Sequence, residues 1–208
     1  MIRAAVAAAI LAVPAVADDV TPDEGAVLSR ILSVVPVEIS DAHIGQEMAV
    51  LLRNAEPDAA TADLVILAGA PDDHAGQPIL IARSLVFAGS MAGQLPWLEV
   101  SDKGSLLIHA EQSAIGRSPW QETLAVVERD GQIRAAGYTL NHWDRITGGT
   151  AVCDWNLLSG DWTLDAELPQ ENGPATVIRH NGRQALTVSL ADWAPEVVPE
   201  FCKADLEG

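Results

Sequence analysis

The chain predicts a mainly β protein: antiparallel strands in a sandwich or a strongly curved sheet, with one short N-terminal helix. Three observations predict it. From Met48 onward the apolar residues come in short runs rich in Val, Ile and Leu, separated by Gly, Pro, Asn and Asp. Asp130-Gly131 and Asn181-Gly182 are dipeptides that accept positive φ at both positions, as a two-residue hairpin turn requires. Residues 153–166 alternate apolar and polar, which is the pattern of a sheet with one face on a core and one in water.

Along the chain, residues 1–17 read as a secretory signal peptide. Arg3 gives a basic start, Ala4 to Val13 is an unbroken apolar run, and Ala15-Val16-Ala17 is a small-x-small cleavage pattern followed by Asp18-Asp19. Cleavage after Ala17 is expected to leave residues 18–208 as a single β-rich domain, periplasmic or secreted. No linker or fixed-period repeat divides them. The helix is expected to start at Thr21-Pro22-Asp23-Glu24, with Thr as cap, Pro at the first position and acids in the first turn. Val27, Leu28, Ile31 and Leu32 extend it at helical spacing, Pro36 ends it, and its apolar side is expected to pack on a sheet.

Met48–Arg53, Leu64–Leu67, Ile79–Ala82 and Leu85–Phe87 read as strands, with a polar loop from Gly69 to Pro78. A two-residue turn at Asp130-Gly131 sets Val126 against Ala135 and Leu124 against Gly137. The same geometry at Asn181-Gly182 sets Val177 against Leu186 and Ala175 against Val188. Asp102-Lys103-Gly104 and Ser159-Gly160 are weaker turn signals. Around Ser159-Gly160 one face carries Cys153, Trp155, Leu157, Trp162, Leu164 and Ala166, and the other Asp154, Asn156, Thr163 and Asp165. The tail from Asp192 is expected to be a turn or short helix docked by Trp193, Phe201 and Cys202.

Charge narrows the partners. With 12 basic and 29 acidic residues the formal net charge is −17. This argues against nucleic acid and against anionic membrane surfaces, which recruit Lys and Arg. It suits a cationic partner, a metal ion, or simple solubility. The leader's apolar run is too short to span a bilayer, and no later uncharged segment is long enough, so no integral membrane segment is expected after cleavage. Two cysteines in an exported chain, Cys153 and Cys202, are expected to form one disulfide.

Four groups of residues bear on chemistry. Asn54, Glu56 and Asp58, followed by Asp63 ahead of a strand, place oxygen ligands at alternate positions as in a calcium loop, without the glycine of the sharp turn. Asp154 and Asp165 are opposed in the expected register and could share a cation or a proton. His109 with Glu111, and His142 with Asp144, are two apart and so on one strand face, where an imidazole beside a carboxylate can serve as base or ligand. Trp97, Trp120 and Trp143 lie near turns, where an exposed ring can stack on a sugar or grip a partner. No G-x-S-x-G turn, H-E-x-x-H helix or zinc-type Cys/His spacing is present, so no catalytic residue is assigned and no cofactor is expected beyond a calcium ion.

Ala114-Ile115-Gly116-Arg117-Ser118-Pro119-Trp120, a strand with an Asp-Gly hairpin, Ala136-Gly137-Tyr138, and Asp154-Trp155-Asn156-Leu157-Leu158-Ser159-Gly160 follow in that order. Over about residues 47–162 this resembles a loose group of uncharacterised secreted bacterial proteins carrying I-G-R-x-x-W and D-x-N-L-L-[ST]-G segments. Some of those also carry a D-x-N-x-D-G loop, as in FG-GAP-type repeats; here it is reduced to Asn54, Glu56 and Asp58. The resemblance implies a β fold and an exported location, and no activity.

The expected function is therefore a non-enzymatic, exported binding or envelope-associated module that recognises a protein or a glycan through an exposed face. A periplasmic hydrolase using the His/carboxylate pairs and a cation-binding module are the alternatives. Convergence of those residues in a cleft would favour the enzyme, and a face bearing an exposed Trp would favour the binder.

Overall fold

The computed structural model describes residues 21–43, 45–56, 58–70, 73–194 and 199–202. The expected signal peptide, residues 1–17, and its expected cleavage site lie outside the described residues. The fold is mainly β; the described residues form eleven antiparallel strands in two sheets and one α-helix of 7 residues.

Helix α1 (Pro22–Leu28) starts as expected, with Thr21 and Glu24 forming a reciprocal capping box. It ends earlier than the periodicity suggests and buries no residue. Ile31 and Leu32 belong instead to β1 (Ile31–Val37), and Pro36 sits inside that strand opposite Met48. Pro is tolerated there because β1 is an edge strand paired only with β2 (Glu47–Arg53). Tertiary pairing along a β-branched stretch has overridden the helical spacing of its apolar residues.

The four-stranded sheet runs in chain order, β1, β2, β3 (Thr61–Leu67) and β4 (Pro78–Phe87). The two apolar runs 79–82 and 85–87 are one strand with a bulge between them. At the bulge Ser84 has φ +49, and Asp63 on the neighbouring strand holds it. The Asp63 carboxylate accepts from the Ser84 amide at 2.9 Å and from Arg83 Nη1 at 2.7 Å, with Arg30 Nη2 at 3.7 Å.

The seven-stranded sheet is also a meander: β5 (Trp97–Val100), β6 (Leu106–Gln112), β7 (Trp120–Arg129), β8 (Gln132–Trp143), β9 (Thr150–Asn156), β10 (Asp161–Gln170) and β11 (Gly173–Arg183). Asp130 (φ +53) and Gly131 (φ +72) form the expected hairpin tip, and Val126 faces Ala135. A bulge then inserts Ala136, so Leu124 faces Tyr138 rather than Gly137.

Two expected turns are corrected. Asn181-Gly182 is not a hairpin tip. Both residues lie inside β11, opposite Thr163 and Trp162, and the chain reverses between Gln170 and Gly173. Val177 accordingly faces Glu167 and not Leu186, and the Ala175–Val188 pair does not form. Gly182 is required by the indole across from it rather than by positive φ. At Ser159-Gly160 the loop is longer than two residues, because Asn156 Oδ1 accepts from the amides of Leu158 and Ser159 and Asn156 O from that of Gly160. Trp155 therefore pairs with Trp162. The register differs from the expected one by two residues, so every side chain keeps its face while its partners change.

The sheets face each other across one core. Leu51, Leu64, Ile66 and Leu85 meet Leu106, Ile108, Leu124, Tyr138 and Trp155, with Leu190 and Trp193 from the tail. The edges of β1 and β5 lie side by side, and Ser33 Oγ accepts from the Leu98 amide at 3.1 Å. A second cluster of Ala151, Cys153, Leu164, Ala166 and Cys202 is covered by Phe201, which stacks on Trp162. The Cys153–Cys202 disulfide, with Cα atoms 5.2 Å apart, ties the tail to β9. No helix among the described residues is long and apolar enough to cross a membrane.

Candidate functional site

Strand alternation divides the seven-stranded sheet into an inner face on the core and an outer face away from it. On the outer face one cross-strand row runs through all seven strands: Trp97, His109, Thr123, Thr139, Asp154, Thr163 and Asn181, each directly paired with the next. At about 4.8 Å between strands the row extends roughly 29 Å.

Its members are linked by side-chain contacts. The Trp97 indole stacks on the His109 ring (centroids 4.7 Å apart, planes at 13°) and remains 39% exposed. His109 Nδ1 lies 2.9 Å from Thr123 Oγ1, and Thr139 Oγ1 donates to Asp154 Oδ1 at 2.6 Å. Beside the row the sheet forms a groove of about 750 Å³, with Ala125 and Gly137 in its floor and Lys103, Leu107, Asn156 and Leu158 among its walls. Small residues at Ala125 and Gly137 let the sheet hollow there, since a larger side chain would fill the space.

His109 has a carboxylate partner, but it is Glu99: Nε2 is 3.3 Å from Glu99 Oε2. Burial under Trp97 holds the imidazole below its ordinary pKa, and Glu99 opposes that shift without cancelling it. Glu111, on the same face, accepts instead from Gln121 at 2.9 Å.

The inner face holds a second feature. Between the start of β3, the end of β4 and strands β7–β8 is a pocket of about 380 Å³ lined by Ala60, Thr61, Phe87, Trp120, Glu122, Tyr138, Leu140 and His142. Phe87 and Trp120 meet edge to face, with centroids 5.6 Å apart. Tyr138 donates its hydroxyl to Glu122 Oε2 at 2.9 Å. Burial raises the Glu122 carboxyl above its ordinary range, with the tyrosine bond opposing. Burial, and then the neighbouring carboxylate, push the Tyr138 phenol far up. His142 is held below its ordinary value by burial, and its Nε2 is buried without a hydrogen-bond partner.

Asp144 does not accompany His142. It is buried in the turn after β8, where Oδ1 accepts from the Ile146 and Thr147 amides at 2.7 Å each and Oδ2 accepts from Arg117 Nε. Burial alone would raise its pKa; the donors from Thr147, Ile146 and Arg117 outweigh it and hold the carboxyl below its ordinary range. Arg145 donates to the carbonyls of Gly116 and Ser113, and the Trp143 amide to Pro119 O. The Ile115-Gly116-Arg117 segment is thus a clasp that fastens the β6–β7 loop to the β8–β9 turn. Trp143 on the outer face and Trp120 on the inner one flank this clasp.

The remaining candidates are dispersed. Asn54 is committed to its own loop, accepting from the Glu56 amide at 2.9 Å and donating to Thr61 and Ser84. Glu56 and Asp58 are exposed, and Asp63 holds the β4 bulge. Asp154 faces Thr163 and Asp165 faces Val152, so the two acids are not opposed; Asp165 pairs with Arg179 at 3.3 Å. Among the described residues no group of three or more His, Cys, Asp or Glu side chains is arranged to hold a metal ion.

His109, Glu111, His142, Asp144, Asp154 and Asp165 therefore do not converge. Glu122 and Tyr138 escaped the sequence reading, although a signal was present. Leu124 and Val126 are apolar residues of the core face, and Glu122 is two residues before Leu124 on the same strand.

Fold and faces together define a two-sheet antiparallel β protein with a polar, grooved outer face and a small aromatic pocket between the sheets. No family model, curated protein or solved structure matches the chain.

Proposed function

We propose that the protein is an exported, non-enzymatic binding module that holds an oligosaccharide along the outer face of the seven-stranded sheet. The observation that carries this reading is the row from Trp97 to Asn181. It begins with an exposed indole braced from behind by His109, and continues as hydroxyl, carboxylate and amide groups beside a groove. An aromatic platform followed by closely spaced polar groups suits a sugar chain, which offers an apolar ring face and many hydroxyls. Export is supported by the leader sequence, by the likeness of the I-G-R and D-x-N-L-L segments to secreted bacterial proteins, and by the disulfide.

The hydrolase reading has less support, because neither His109 nor His142 keeps the carboxylate that its spacing suggested. The test is affinity electrophoresis of the mature protein through gels containing a panel of soluble polysaccharides. Retardation of the parent by at least one polysaccharide, and its loss in Trp97→Ala, is the expected result. Absence of retardation across the panel, or equal retardation of both proteins, overturns the glycan reading. So does isolation of a protein partner bound through this face without any glycan binding.

A further inference from the structure

The pocket between the sheets is separate from the outer face and is not used by the reading above. Its lining contains three aromatic side chains (Phe87, Trp120 and Tyr138) and one carboxylate, Glu122, with no Lys or Arg. Among the described residues Glu122 enters no ion pair, and its side-chain hydrogen bond is the one from Tyr138. His142 adds a buried Nε2 without a partner, positioned on the same face two residues beyond Leu140.

A carboxylate set against apolar walls without a cation is costly, and it is the arrangement a cationic ligand relieves. Aromatic faces carry negative potential and attract ammonium groups, most strongly where water is excluded. The overall charge of −17 further raises the local concentration of cations. A neutral ligand would leave the carboxylate unpaired, and an anion would face it directly.

We propose that this pocket binds a small organic cation, an ammonium group on an apolar or aromatic body. Glu122 is its counter-ion, Phe87, Trp120 and Tyr138 form the walls, and His142 Nε2 accepts a further N–H in the Nδ1-protonated tautomer. Burial raises the Glu122 carboxyl above its ordinary range, and a cation seated beside it would favour the charged form. A volume of about 380 Å³ suits a single-ring ligand better than a peptide or a lipid chain.

Three probes of one shape test it: benzylammonium, benzyl alcohol and benzoate, titrated against the mature protein by calorimetry. Benzylammonium is expected to bind at least about tenfold more tightly than benzyl alcohol, and benzoate not at all. In Glu122→Gln, which keeps the size and the Tyr138 contact, the preference for the cation is expected to disappear while benzyl alcohol binding persists. Trp97→Ala should leave all three unchanged, which separates this site from the glycan face. Equal binding of benzylammonium and benzyl alcohol by the parent, or failure of all three to bind, overturns the proposal. A benzylammonium preference that survives in Glu122→Gln also overturns it, because the cation then sits on the acidic surface instead.

Discussion

Trp162 lies directly across from Gly182, and its indole occupies the space where a side chain at position 182 would begin. A Cβ built there would sit 2.6 Å from Trp162 Cζ2. The same ring stacks on Phe201 (4.3 Å between centroids, planes at 12°), beside the disulfide. One glycine thereby makes room for the indole that seats the C-terminal tail.

Gly182→Ala is expected to destabilise by about 1–3 kcal/mol through overpacking. The double variant Gly182→Ala/Trp162→Leu should lose less than the sum of the single changes, since the indole is what the new methyl meets. Urea midpoints of the four proteins check this. Additive midpoints would mean that the two residues do not touch. Gly131 offers the contrast: a side chain there meets nothing within 4 Å, but φ is +72. Gly131→Ala should cost about 1 kcal/mol through backbone strain alone, independently of Trp162.

Removing the Cys153–Cys202 bridge should cost about 4 kcal/mol in the chain-entropy picture, for cysteines separated by 49 positions. Its effect should concentrate on the tail, because Phe201 and Cys202 cover the inner face of β9 and β10. Reduction should therefore change the fluorescence of Trp162 and Trp155 before global unfolding, and hydrogen exchange should show the tail opening first. Simultaneous opening of both sheets on reduction would refute that order.

Asp144 has a folded pKa below its ordinary value. Its contribution is therefore fully present above the unfolded carboxyl value of about 3.9, and it is lost as pH falls below that through the folded pKa. The parent should lose stability over that acid window, and Asp144→Asn should be destabilised at neutral pH and lose less on acidification. Arg117→Met should resemble Asp144→Asn at neutral pH, because it leaves the buried carboxylate without its cation. Thermal midpoints from pH 7 to pH 3 distinguish this from general acid denaturation, which would leave the parent and Asp144→Asn curves parallel.

Trp97 separates binding from stability. It is partly exposed on an edge strand, so Trp97→Ala should change the urea midpoint by less than about 1 kcal/mol. If the outer face holds a sugar chain, the same change should weaken binding by roughly tenfold or more. Thr139→Val, which removes the bond to Asp154, should have a smaller effect in the same direction. A Trp97→Ala protein that unfolds as readily as a core variant would assign the residue to packing.

Much of the fold was legible, because strand signals are local. The capping box at Thr21 and Glu24, the Asp130-Gly131 tip and the inward placement of Cys153, Trp155, Leu157, Leu164 and Ala166 all follow from residues within a few positions of each other. What failed locally was the identity of partners. Asn181-Gly182 has the composition of a turn, yet it lies in β11 because Trp162 needs a glycine opposite it. Asp154 and Asp165 share a face as expected, but a loop two residues longer moved them out of opposition. His142 and Asp144 are two apart in the chain, yet one lines a pocket and the other is clasped by Arg117.

By itself the sequence determined the fold class, the alternation of faces and the pairing of the only two cysteines. Period-two patterning and turn composition act within a strand and need no partner to be read. Only the tertiary structure decided the register of β9 with β10, the row from Trp97 to Asn181, and the meeting of Phe87 and Trp120 across the sheets. Each of these depends on loop length, bulges and the stacking of two sheets, which join residues far apart in the chain through contacts that no local spacing encodes.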